Sequence, residues 1–400
     1  MSRFLFVVPP LVGHVNPAAA VARELAARGH EVAWAGDPGL LERLLGPRDP
    51  RRVFACGRGP DLGGRPEGLR GVAALKFLWD QWFAPLAEVM APGVEAAVRE
   101  FRPDVVVADQ QTVAGSLVAE RLGVPFATSS TTSAELAGAV GLPKVDAWIR
   151  EVLAELRQRL GAPEAAYDPR FSPLLTLVFS TPELAGPPPP GRGPLVFVGP
   201  ALGPRPAEPG FPRDWPERDP DRALVLITLG TANTAAGTRF LSECVTAVRE
   251  RADRLRAVVA DPGGVLGGPA ADEDVLVAPR VPQLEVLARA GAVVCHAGHN
   301  TVAESLWHGV PLVVAPIRDD QPVIAGQVTE AGAGVRIRFG RSGREAIGAA
   351  LDAVLGEPSY AAAARRIGDA FRAAGGAPAA AGRLERAAAA ARVRSSPLPR

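Results

Sequence analysis

Cysteine is scarce in this chain. Only Cys56, Cys244 and Cys295 occur among 400 residues, and none has a paired spacing. That excludes a disulfide framework and a thiol-rich zinc site, and it suits a reducing compartment, so the cytoplasm is the expected location. Long apolar runs are missing too, none approaching the roughly 18 residues that a membrane-spanning helix needs. The apolar stretch from Phe4 to Val12 is broken by Pro9 and Pro10. It lacks a basic lead-in and a small-residue cleavage site, and reads as a strand rather than a secretion signal. Neither sign of charge dominates, with Lys plus Arg at 44 against 43 for Asp plus Glu. Without a global field, nucleic acid is not an expected partner. No Gly-x-Gly-x-x-Gly follows a strand, which argues against an NAD-dependent oxidoreductase.

What is present is a globular composition, 47% hydrophobic and 22% charged. A chain of this length exceeds one ordinary core and is comfortable for two. Apolar strands alternate with helical patterns. Phe4 to Val8 reads as a strand, Asn16 to Arg28 as a helix, His30 to Trp34 and Asp104 to Ala108 as strands, Thr112 to Leu122 as a helix and Val124 to Thr128 as a strand. After a proline-rich stretch the alternation restarts with strands at Leu224 to Thr228, Leu255 to Ala260, Val275 to Val277, Ala292 to Cys295 and Pro311 to Ala315. Such alternation predicts an α/β fold with two Rossmann-like, doubly wound parallel sheets covered by helices. The expected boundaries are a first domain over 1–204, a Pro-rich linker over 205–220, a second domain over 221–376, and a helix over 377–400 that could pack back on the first domain. Ligands of open parallel sheets sit beyond the carboxyl ends of the strands, so the two domains are expected to face one cleft.

The sharpest chemical signal runs from His296 through Gly298, His299, Asn300 and Thr301 to Glu304. It starts where a buried strand ends and opens a helix. Backbone N–H groups at a helix start, a glycine that permits close approach and the positive end of the dipole together make a diphosphate site. In this reading His296 adds a donor to a phosphate oxygen, and Glu304, one turn on, accepts hydrogen bonds from a ribose diol. The alternative is that Asn300 and Thr301 merely cap a helix and that His296 is a satisfied buried histidine, although a structural helix start has no need of two histidines and a glycine at this density.

The stretch from His296 to Gln321 resembles the donor-binding signature of the nucleotide-sugar-dependent glycosyltransferases of the GT-B class, in the family that contains the macrolide, zeaxanthin and plant flavonoid glucosyltransferases. Three further segments are similar to family motifs in the same order. Pro10 to Pro17 resembles the catalytic loop, Leu229 to Thr231, with Gly230, the phosphate-side loop, and Arg280, Val281, Pro282 and Gln283 the motif that holds the nucleotide base. The resemblance spans nearly the whole chain. It implies a first domain that binds the acceptor and a second that binds the donor. Where the family has a Trp stacked on uracil this chain has Arg280, whose guanidinium plane can also stack on a base. Glu304 is similar to its counterpart in enzymes using UDP-sugars. Asp320 and Gln321 match the pair that bonds the hydroxyls of the transferred hexose, which favours glucose. TDP-deoxysugar use and a carbon-linked product are the alternatives within the class, and a catalytically silent partner protein is the alternative outside it.

His14 is the expected base, since an inverting transfer needs a group to take the acceptor hydroxyl's proton and imidazole is suited to that near neutral pH. Asp109, at the end of the strand from Val105 to Ala108, occupies the place of the family's carboxylate that orients the base. The same carboxylate could instead cap the helix near Thr112. Phe77, Trp79 and Trp82 fall at helical spacing and either line an apolar acceptor pocket or form an amphipathic core face. Ser129 begins a polar run to Ser133 that could border the cleft. The acid pairs Asp219/Asp221 and Asp272/Asp274 only superficially resemble a metal motif, so neither metal nor cofactor is expected beyond a UDP-sugar or TDP-sugar co-substrate. The expected partners are that donor and a small-molecule acceptor, with the chain a monomer or homodimer.

Overall fold

The computed structural model describes residues 1–46, 52–57, 59–60, 66, 69, 71–136, 143–188, 193–230 and 237–395. Two compact units result: Met1–Pro206 together with Ala374–Arg400, and Ala207–Ala373. The first unit is built on seven parallel strands, β1 (Arg3–Val7), β2 (Glu31–Gly36), β3 (Arg52–Ala55), β4 (Val105–Asp109), β5 (Phe126–Ser130), β6 (Thr176–Val178) and β7 (Leu195–Phe197). They lie in the order β3-β2-β1-β4-β5-β6-β7. Side chains alternate across the sheet with period two. Leu5, Val7, Val106 and Ala108 pack on one face under the helices Ala84–Phe101, Val113–Arg121 and Pro143–Leu160. Phe4, Phe6, Val105 and Val107 pack on the other, under the helix Val12–Ala27.

That second face also receives the chain's last helix, Gly376–Ser395, which packs on Val12–Ala27. Its stripe of Ala377, Ala380, Ala381, Leu384, Ala387 and Ala388 is buried in the same cluster, and the small side chains let the two helices approach closely. His30 Nε2 meets Glu385 at 2.9 Å and Arg392 donates to Asp104 at 2.9 Å, closing the contact with charge.

The second unit carries β8 (Ala223–Thr228), β9 (Leu255–Ala260), β10 (Ala270–Ala271), β11 (Val275–Ala278), β12 (Ala290–Cys295), β13 (Leu312–Val314) and β14 (Gly334–Arg336), ordered β10-β11-β9-β8-β12-β13-β14. All pairs are parallel except β10 with β11. The proline-rich stretch that reads as a linker is packed on this unit from Ala207 onward. Trp215, 2% exposed, donates to the Asp272 carbonyl at 3.1 Å. The Arg256 guanidinium lies 5.5 Å over the indole and donates to the Trp215 and Pro216 carbonyls. A buried arginine left without those carbonyls would be costly, so Arg256 and the stretch hold each other.

Among the parallel strands of each sheet the order reverses between β1 and β4 in the first unit and between β8 and β12 in the second. Helices leaving those neighbouring strands go to opposite faces and leave a crevice at the carboxyl ends. Both candidate sites lie at such a point.

Candidate active site

In the first unit three side chains meet at the carboxyl ends of β1, β4 and β5. His14 is the third residue of the helix Val12–Ala27, which begins four residues earlier than the hydrophobic pattern predicts. The histidine therefore sits inside the first turn and not in the loop before it. Gly13 and Pro17 weaken the helical signal there, and Pro17, inside the helix, removes the backbone bond to the Gly13 carbonyl. Asp109 is the last residue of β4, with a fully buried side chain. His14 Nδ1 lies 3.0 and 2.9 Å from its two oxygens. Thr131, just past β5, places Oγ1 at 2.7 Å from His14 Nδ1 and donates to Asp109 Oδ2 at 3.0 Å. The Gln111 backbone N–H donates to Asp109 Oδ1 at 2.9 Å.

A carboxylate can only accept, so this contact puts the ring proton on Nδ1 and the lone pair on Nε2. The alternative role of Asp109 as a helix cap is not realised: the helix Val113–Arg121 has Thr112 as its N-cap and no side-chain cap. Thr131 was not singled out in the sequence. The one sequence signal for it is the polar run from Ser129 to Ser133, in which Ser129 is the candidate. Ser129 is instead buried in β5, with an Oγ that has no partner.

Beside the Asp109 strand end, Trp79, Phe83, Gln110, Gln111, Val113, Glu135 and Arg170 line a narrow crevice. Trp79 and Phe83 belong to a five-residue π-helical turn, Trp79–Phe83, a local geometry frequent at functional sites. Of the three aromatic candidates only Trp79 reaches this crevice, with the Arg170 guanidinium 5.6 Å from its ring. Trp82 is a core residue packed on Phe83 at 5.1 Å, and Phe77 is not among the lining residues.

In the second unit the loops after β8 and β12 touch. His296 is buried just past β12, and Gly230 and Gly298 lie against its ring. A Cβ added at Gly230 would come within 2.8 Å of His296 Cε1, and one at Gly298 within 2.4 Å of Nε2. These two positions demand glycine for space, and Gly230 also for its φ of +69°. Between them Ala297 takes a φ of +65°, a strained turn for a residue with a Cβ. Burial lowers the His296 pKa from 6.5 to about 4, against a smaller upward push from a hydrogen bond with the Thr228 backbone. The ring is neutral at physiological pH and Nδ1 has no partner. A neutral imidazole has one N–H, so His296 can give a single hydrogen bond here, to the Thr228 backbone or to a phosphate oxygen.

The helix His299–Trp307 follows at once, with Gly298 as N-cap and no side-chain cap. No acid occupies its first turn, which leaves the positive dipole end to a ligand. His299 and Thr301 are buried and Asn300 half-buried at this start. Glu304 is buried one turn on and accepts from Gln283 Nε2 at 2.7 Å, so two candidates from separate motifs meet. Val281 is half-buried. Arg280 is 63% exposed and donates through Nε to Glu208 at 2.8 Å. Past β13, Gln321 uses its Oε1 to accept the Ile317 and Arg318 backbone N–H groups at 2.9 and 3.0 Å. Its amide NH2 is then the group left to face a ligand. Asp320 is the N-cap of the helix Gln321–Glu330, and Asp319 beside it has a φ of +60°. Thr231 lies outside the described residues.

The family model described as UDP-glucoronosyl and UDP-glucosyl transferase matches residues 267–372, the span that holds Gln283, the His296 loop and Gln321. The 4'-demethylrebeccamycin synthase of Lentzea aerocolonigenes is 30% identical over 420 residues, covering 93% of this chain and 96% of that protein. The chain belongs to this glycosyltransferase family. The zeaxanthin glucosyltransferase of Pseudescherichia vulneris is 28% identical, with 97% of this chain and 98% of its own length covered. The solved structure of the kitacinnamycin glycosyltransferase aligns with a TM-score of 0.73 at 26% identity, over 96% of this chain and 98% of that one. The two doubly wound units are thus the GT-B architecture, and the chain is a glycosyltransferase of the natural-product type, an enzyme with a nucleotide-sugar donor and a small acceptor. Among the described residues no helix is long and apolar enough to cross a membrane.

Proposed function

We propose that this glycosyltransferase transfers glucose from UDP-glucose, with inversion, to a hydroxyl of a small, largely apolar natural-product acceptor. The observation that carries the reading is the contact of His14 Nδ1 with the buried Asp109 carboxylate at 2.9 Å, at a strand end. With Nδ1 protonated, Nε2 takes the acceptor's hydroxyl proton as its oxygen attacks the anomeric carbon. The bond from that carbon to the diphosphate breaks, and Asp109 balances the imidazolium that forms. The departing UDP carries the negative charge, which the start of helix His299–Trp307 is disposed to receive. That helix end supplies the charge stabilisation without a metal ion. Three buried thiols without a disulfide suit a cytoplasmic enzyme.

UDP is favoured over TDP by Glu304. A buried carboxylate held by Gln283 can accept from both hydroxyls of a ribose, whereas the deoxyribose of TDP offers one fewer. One hydrogen bond to a charged group is worth about 1.5 kcal/mol or more, roughly a tenfold preference. The check is mass spectrometry of the purified enzyme with UDP-glucose and TDP-glucose against phenolic and polyketide acceptors. The expected product gains one hexosyl group, faster from UDP-glucose by about tenfold, and Glu304→Ala narrows that gap. A faster reaction with TDP-sugars would transfer the reading to the thymidine donors, and no glycoside from any nucleotide sugar would end it.

A further inference from the structure

We propose that Thr131 is a positioning residue for the His14 base, a third member that fixes the ring's tautomer and tilt. This rests on the reading of His14 as the base. Three atoms form a closed triangle: Thr131 Oγ1 to His14 Nδ1 at 2.7 Å, Thr131 Oγ1 to Asp109 Oδ2 at 3.0 Å, and His14 Nδ1 to the same Oδ2 at 2.9 Å.

Only one arrangement of hydrogens satisfies all three contacts. The carboxylate has none to give, so the Thr131 hydroxyl donates to Oδ2 and turns a lone pair toward Nδ1. A lone pair on Nδ1 would then oppose both the hydroxyl oxygen and the carboxylate. Nδ1 must carry the proton, shared between Asp109 and Thr131, and Nε2 is left as the basic atom. Asp109 alone could hold that proton along either of two directions, toward Oδ1 at 3.0 Å or Oδ2 at 2.9 Å. The hydroxyl removes this freedom.

The hydroxyl does not owe its place to the pair it serves. Gln110, next to Asp109 and buried, ties down the backbone on both sides of Thr131. Its N–H donates to the Ser129 carbonyl at 3.0 Å and its Nε2 to the Thr132 carbonyl at 3.3 Å. Its Oε1 accepts from Ser130 Oγ at 2.5 Å, and Ser130 Oγ also lies 3.3 Å from the Thr132 carbonyl. Ser130, Thr131 and Thr132 are all at most 3% exposed. A satisfied buried network of this kind holds its members rigidly. The Thr131 oxygen is thus a fixed point against which the ring is set, and each Asp109 oxygen has a second donor: the Gln111 N–H on Oδ1 and Thr131 on Oδ2.

The test compares Thr131→Val, which keeps the shape and removes the hydroxyl, with Thr131→Ser, which restores it. Thr131→Val is expected to lower kcat between about tenfold and a hundredfold, the loss of a hydrogen bond to a charged group, with both KM values within about twofold. Thr131→Ser is expected to recover kcat to within about threefold. In protein labelled with 15N in its histidine rings, His14 should show only the Nδ1–H form in the wild type and a mixture with Nε2–H in Thr131→Val. Where the valine variant is poorly folded by near-UV circular dichroism, Thr131→Ala removes the same hydroxyl with less bulk. Unchanged kcat in the variants without the hydroxyl overturns the proposal. So does a raised donor KM at constant kcat, the mark of a substrate contact, or a serine variant as slow as valine. Full activity in His14→Ala would defeat the parent reading, whereas an inactive His14→Ala beside a normal Thr131→Val defeats only this one.

Discussion

His14→Ala lowers kcat for glycosyl transfer by about a thousandfold, within the range expected for removal of a positioned general base. The reaction needs the acceptor oxygen to become nucleophilic as the anomeric carbon loses its diphosphate. Without the imidazole, water must take the proton, and Asp109, buried and held by Gln111 and Thr131, cannot substitute because its oxygens are directed at Nδ1. The substrates keep their binding groups. KM for the donor should move by about threefold or less, since an interaction made only in the transition state appears in kcat and kcat/KM alike. Steady-state kinetics with both substrates varied decides it. A variant that retains most of its turnover would remove His14 from the chemistry.

Gly298→Ala weakens UDP binding by about a hundredfold, the scale of a 3 kcal/mol overpacking cost. Its φ of −64° and ψ of 134° are open to any residue, so the effect is one of space and not of backbone freedom. The new Cβ would lie 2.4 Å from His296 Nε2 and 2.7 Å from Cε1. The imidazole is buried and has Gly230 on its other side, so its room to yield is small. The strand-to-helix corner must move instead, and the first-turn amides of His299–Trp307 move with it. Isothermal titration calorimetry with UDP measures the loss, and circular dichroism shows whether the rest of the fold is intact. Affinity equal to the wild type would show that the phosphates do not use this corner.

Why some of this was legible in sequence and some was not follows from what is local. His296 to Glu304 could be read because a strand end, a glycine and a helix start are contiguous, and their chemistry follows from the order of a dozen residues. The pairing of His14 with Asp109 was legible only through the resemblance of the loop Pro10 to Pro17 and of the Asp109 strand end to the family's motifs, because nothing in the spacing of the two residues places β4 beside β1. Thr131 was not legible, because its role depends on β5 lying next to β4 and on the exact height of one hydroxyl, both products of tertiary packing. The helix start at Val12 was hidden by Gly13 and Pro17, which read as a loop until the chain on either side is placed. Short strands such as Arg52–Ala55 and Gly334–Arg336 are stabilised by neighbours more than by their own residues, and three or four positions show no usable period. Gln321 illustrates a subtler loss: its place beside Asp320 was evident, but its carbonyl is spent on the Ile317–Arg318 turn, which halves what it can offer a sugar.

We propose that the start of helix His299–Trp307 holds the donor's diphosphate. A crystal structure of the enzyme with UDP tests it most directly. Phosphate oxygens within hydrogen-bond distance of the backbone N–H groups of Gly298 to Thr301, with the ribose diol on Glu304, are the predicted result. A diphosphate bound at any other strand end, with those amides facing solvent, would contradict it.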